Sequence, residues 1–139
     1  MTRVDFYVAR ESGQAARLDV AARLCDKARG RGHRLFIHAG DEAEAKALDD
    51  LLWSFRPASF LPHELVSIDP RADIAIGWGD EPEDHSDVLV NLALAPPPFF
   101  SRFERVAEIV TQESDGLEAL RNSWRFYKDR GYPLQKHDL

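Results

Sequence analysis

The sequence predicts a three-layer α/β sandwich with a largely parallel, Rossmann-like sheet flanked by helices. Three observations carry that prediction. The first half runs strand, helix, strand, helix, which is the opening of a parallel sheet. At 139 residues the chain is long enough to bury a core without staples, and its 44% hydrophobic and 30% charged residues are those of an ordinary globular protein. No repeat, low-complexity tract or composition break divides it, so residues 1–139 are read as one domain.

Val4 to Ala9 is rich in β-branched and aromatic residues and suits a first strand. Gln14 to Arg29 sets Ala15, Leu18, Ala22, Cys25 and Ala28 at helical spacing and stops at Gly30 and Gly32. Leu35 to Ala39 is a short apolar run, hence a second strand. Asp41 with Glu44 three residues on forms an N-terminal capping pair, and the helix it opens runs to about Trp53. From Arg56 to Pro70 three prolines and no sustained period indicate a structured loop or short edge element.

Ile74 to Trp78 and Val88 to Leu92 are two further strands, separated by the acidic turn Gly79 to Asp87. Pro96-Pro97-Pro98 can start a short helix, with Phe99, Phe100 and Phe103 packing inward. Val106 to Val110 fits another strand or a continuing helix. The final helix begins at Ser114 or Asp115 and ends at Gly131.

Cys25 is the only cysteine, which excludes an internal disulfide and any multi-cysteine zinc site, and its helical position suits a small buried thiol. The absence of a basic-then-apolar opening and of a spanning apolar run points to the cytoplasm, with no membrane contact. A formal net charge of -6 argues against a sequence-independent nucleic-acid binder. Cations nonetheless gather at the end. Arg121, Arg125, Lys128, Arg130 and Lys136 face one anion, Asp129, between Ala119 and Lys136. A basic end on an acidic chain suits a small anionic partner.

The search for chemistry finds no seed. Gly30-Arg31-Gly32 falls after a helix, the reverse of a dinucleotide loop, and Gly77-Trp78-Gly79 leads into carboxylates that repel phosphate. The five histidines lack metal-ligand spacing, and His63 reads as a loop anchor. His38 could face a cleft, with no partner nameable. No cofactor, metal or catalytic residue is expected.

What remains are two stretches that mix aromatics, prolines and cations, the composition of docking surfaces: Leu52 to His63 and Arg125 to Leu134. On the last helix Leu117, Leu120, Trp124 and Tyr127 define an apolar stripe, with Arg121, Arg125 and Lys128 beside it at the same spacing. From spacing alone, a buried stripe with a solvated basic edge is favoured over a receptor. Likewise Trp53, Phe55 and Phe60 fit a lid on the core.

With Asp5-Phe6-Tyr7, Asp49, Leu52-Trp53, Ser59-Phe60-Leu61-Pro62-His63, Arg121, Tyr127 and Gly131 in collinear order, the chain resembles the chi subunit family of bacterial DNA polymerase III. These are small clamp-loader accessory proteins that link the replicase to single-stranded-DNA-binding protein. The resemblance implies that Val110, Leu117, Arg121, Trp124, Arg125 and Leu134, with Lys128 nearby, receive that protein's acidic C-terminal tail. It also implies that Phe60, and more weakly Trp53, contact a psi subunit or the clamp loader, with DNA contact indirect or weak. Two rivals stay open: a small nucleotide- or nucleic-acid-dependent enzyme on a Rossmann-like fold, and a general acidic-peptide-binding scaffold.

Overall fold

A computed structural model describes residues 1–55 and 62–139. The chain order is β1 (Arg3–Val8), α1 (Gln14–Gly30), β2 (Leu35–His38), α2 (Glu42–Phe55), β3 (His63–Leu65), β4 (Ile74–Gly77), β5 (Val88–Asn91), a single 3-10 turn (Phe100–Arg102), β6 (Arg105–Val110), α3 (Ser114–Asp129) and β7 (Leu134–Asp138). Among the described residues, seven strands form one sheet in the order β3-β4-β2-β5-β6-β1-β7, and every pairing is parallel. The expected class holds, with a sheet more uniformly parallel than expected.

Alternation along the strands builds two cores. Leu35, Ile37, Ile74, Ile76, Val88 and Val90 point to one face, where Leu18, Ala21, Cys25, Leu48 and Leu52 of α1 and α2 cover them. Phe36, Ala75, Leu89 and Val106 point to the other, where Phe99, Phe103 and Tyr127 close the layer. Both faces of the central strands are therefore buried, as a parallel sheet requires. Burial also pushes the Cys25 thiol up to about 12, so it is an inert packing group.

The capping expectation holds in detail. Asp41 Oδ1 accepts the Glu44 backbone N–H at 2.8 Å, and Glu44 Oε1 accepts the Gly40 N–H at 2.7 Å. At the other ends, Gly32 (φ 87°) follows α1 and Gly131 (φ 79°) follows α3, a backbone region where side chains are strained.

The five strands expected from sequence are present, and two more join them. β3 resolves the loop-or-edge alternative in favour of a short edge strand. β7 was not expected, because Leu-Gln-Lys-His-Asp carries no apolar alternation. As an edge strand it needs none: only Leu134 and His137 are even half-buried. The proline-started helix shrinks to the single 3-10 turn, while Phe99, Phe100 and Phe103 do pack inward, at 7% exposure or less. Val106 to Val110 is strand, not helix.

Candidate functional site

The last helix is held to the sheet by its inner face. Tyr127 is fully buried, with its hydroxyl 2.6 Å from Glu108 Oε2 on β6. Glu108 Oε1 accepts Asn91 Nδ2–H at 2.9 Å, and Asn91 Oδ1 accepts from His38 Nδ1 at 2.9 Å. This polar chain links β2, β5, β6 and α3 through the interior. It gives His38 the partner that spacing could not name. Burial raises the Glu108 carboxyl to about 7, partly offset by the bonds from Tyr127 and Asn91.

The outer face of α3 is different. Trp124 is half-buried, its ring centroid 5.2 Å from that of Phe6, and Leu120 packs against the same core. These two form the apolar floor of an open concavity of about 580 Å³. Arg121, Arg125 and Lys128 of α3 and Lys136 of β7 surround it, with Asp129 as the single carboxylate among the described residues of its lining. Among the described residues, Arg121, Arg125 and Lys128 make no ion pair, so their charge is available to a ligand. Four cations against one anion beside uncovered indole surface is an arrangement that attracts an acidic chain with an apolar anchor.

Arg121, Trp124, Arg125 and Lys128 are thus brought together as expected, whereas three other candidates stand outside the lining. Val110 is 5% exposed at the end of β6, in the core beneath. Leu117 is half-buried one turn before Arg121. Leu134 is half-buried at the start of β7 and packs against the core. Lys136 is the member that sequence reasoning did not place, because β7 was not recognised. The Glu108 network was also missed, although a lone carboxylate in the middle of an apolar strand was a usable signal.

At the opposite sheet edge, Trp53 is 54% exposed on α2, its ring edge-on to His63 at 4.7 Å. His63 is buried at the start of β3, with Nε2 3.3 Å from Asp49 Oδ1. Burial raises the Asp49 carboxyl, and His63 and a hydrogen bond from Trp53 oppose that rise. Phe60 lies outside the described residues.

The crevice above the carboxyl ends of the strands is where a doubly wound sheet would hold a nucleotide. Here, among the described residues, Asp41, Glu44, Glu113 and Asp115 line it against one cation, Arg17. Arg17 is already engaged, donating to the Leu92 carbonyl at 2.5 Å and lying 3.9 Å from Glu44. Glu113 accepts the Gly13 N–H at the head of α1, the position a phosphate would need. Such a lining repels phosphates. Among the described residues, no group of three or more His, Cys, Asp or Glu side chains could hold a metal, and no helix is long and apolar enough to cross a membrane.

Comparison with known proteins gives a consistent result. The family described as "DNA polymerase III chi subunit, HolC" matches residues 1–135. The chain is similar to DNA polymerase III subunit chi of Pseudomonas aeruginosa, 48% identical over 139 residues, covering 100% of this chain and 98% of that protein. It is also similar to the Escherichia coli subunit chi, 30% identical over 106 residues, covering 74% and 72% of the two chains. Among solved structures, the C-terminal domain of the DEAD-box protein Dbp5 superposes with a TM-score of 0.67 over 99% of this chain and 90% of that one, at 12% identity. Domain 2 of the DEAD-box helicase Mss116p, bound to an RNA duplex, gives 0.61 over 99% and 64%, at 10% identity. At those identities the likeness is one of fold alone.

Proposed function

The chain belongs to the DNA polymerase III chi subunit family, and from that premise we propose that it is a non-catalytic adaptor of the replicase in the cytoplasm. It links the clamp loader to the acidic C-terminal tail of single-stranded-DNA-binding protein. The observation that carries this reading is the concavity on α3, where Arg121, Arg125, Lys128 and Lys136 surround the half-covered Trp124. The indole and Leu120 take the apolar end of the tail, and the guanidinium groups pair with its terminal carboxylate and neighbouring aspartates. Val110, Leu117 and Leu134 support that floor from beneath and beside it.

The second contact is assigned to the α2–β3 edge, where Trp53 is exposed and Phe60 follows in sequence. It receives psi or another part of the clamp loader. Two modest contacts on one rigid body raise effective concentration without catalysis. DNA is reached indirectly, since the net charge of -6 disfavours direct phosphate binding.

Calorimetry with a synthetic tail peptide tests the reading against its nearest rival. Deleting the terminal apolar residue should abolish measurable binding. A groove that recognises only acidic charge would bind the shortened peptide almost as well, and that result would remove the adaptor assignment.

A further inference from the structure

The concavity on α3 opens directly onto an unpaired sheet edge. β7 pairs only with β1, and among the described residues no strand lies beyond it. The direction of its backbone groups follows from the ladder. The Pro133 carbonyl accepts from the Val4 N–H at 3.0 Å, and the Leu139 N–H donates to the Val8 carbonyl at 3.0 Å. With Val4 opposite Leu134 and Val8 opposite Asp138, the parallel pattern turns Gln135 and His137 toward β1 as well. The N–H and C=O of Leu134, Lys136 and Asp138 therefore point away from the sheet. Three donors and three acceptors stand in a row along this edge, and its Lys136 side chain joins Arg121, Arg125 and Lys128 in the lining of the concavity.

We propose that the acidic peptide that enters this concavity binds as an eighth strand on β7, its backbone pairing with Leu134, Lys136 and Asp138 while its side chains meet α3. The inference rests on the tail-binding reading and adds the mode of recognition. Edge strands commonly accept extended peptides in this way, main-chain bonds giving affinity and alternate side chains specificity. Charge selects the occupant. A second copy of this chain would bring Arg121, Arg125 and Lys128, which make no ion pair among the described residues, face to face, whereas an acidic strand neutralises them; Lys136 is already shared with Asp138 of the same edge at 3.4 Å. The edge is thereby protected from pairing with itself, as charged edges usually are.

The test uses the whole protein and tail peptides N-methylated at one backbone nitrogen each, titrated by calorimetry. Methylation at positions that face β7 should weaken binding roughly tenfold, the loss of one backbone hydrogen bond together with the crowding of the methyl group against the edge, while methylation at the intervening positions leaves it unchanged. Hydrogen exchange should slow at the Leu134, Lys136 and Asp138 amides on peptide addition. A flat methylation profile with an unmethylated peptide that still binds would overturn strand addition and leave tail binding standing. An unmethylated peptide that does not bind would overturn both. Self-association through β7, seen as a dimer in sedimentation that Lys136→Asp strengthens, would also overturn it.

Discussion

The Tyr127 hydroxyl donates to Glu108 Oε2 at 2.6 Å with both side chains buried, and this bond fixes the docking helix to the sheet. Tyr127 lies one residue before Lys128 and three after Trp124, so its position sets the register of the whole outer face. Removing the donor leaves a buried carboxylate with one bond fewer. Tyr127→Phe, compared at pH 8 where Glu108 is ionised, should lower stability by roughly 1.5 to 3 kcal/mol, the range for bonds to a charged group. Urea unfolding measures this, and a variant as stable as the parent would show that the bond adds nothing to the fold.

Glu108 should make stability depend on pH. Its folded value of about 7 lies above its ordinary 4.5, so the folded protein holds a proton that the unfolded chain has released. The contribution is fully present below pH 4.5 and is lost as pH rises through about 7, a change of roughly 3 kcal/mol. Glu108→Gln carries no such proton and should lack this part of the slope. Unfolding midpoints of both proteins between pH 4.5 and 8 decide the matter; parallel curves would place the titration elsewhere.

Arg121 is exposed on the rim of the concavity, with no ion pair among the described residues to compete for it. Arg121→Ala should weaken the tail peptide by roughly 1.5 to 3 kcal/mol, on the order of ten- to a hundredfold. Added salt should weaken the unsubstituted complex too, through screening of exposed charge. An unchanged dissociation constant for the variant would take Arg121 out of the site.

At the other sheet edge, Trp53 is 54% exposed while its ring meets His63 and bonds to Asp49. Trp53→Ala should cost on the order of 1 kcal/mol of stability and reduce co-purification with the clamp loader. Phe60→Ala should abolish that co-purification with little change in melting temperature. A large loss of stability for either would assign that ring to the core instead.

Gly116 enters α3 against the end of β6, where an added Cβ would stand 2.6 Å from the Thr111 carbonyl oxygen. Backbone cannot swing aside as a side chain can. Gly116→Ala should destabilise by about 1 to 3 kcal/mol, as other overpacked sites do, and thermal unfolding would register it. No loss would mean that the helix start can shift outward freely.

Much of this was legible from residues alone, because local signals and burial agreed. Asp41 and Glu44 marked the start of α2, Gly30 and Gly32 ended α1, and the runs Leu35–His38 and Val88–Asn91 lie in strands buried on both faces. β7 was not legible. An edge strand satisfies only one side of its backbone and buries little, so its sequence carries neither apolar period nor continuous apolar run. Missing β7 meant missing Lys136 and the open edge beside the site.

By itself, the sequence determined the layered α/β class, the family, and the stripe of arginines beside Trp124, since each is written in spacing along the chain. Only the tertiary structure decided that Trp124 stays half-covered while Tyr127, three residues on, is sealed. It also decided that Lys136 joins the α3 cations and that Val110 lies beneath them rather than among them. Those outcomes depend on how far α3 overhangs β6, β1 and β7, a packing relation between distant segments that no local pattern encodes.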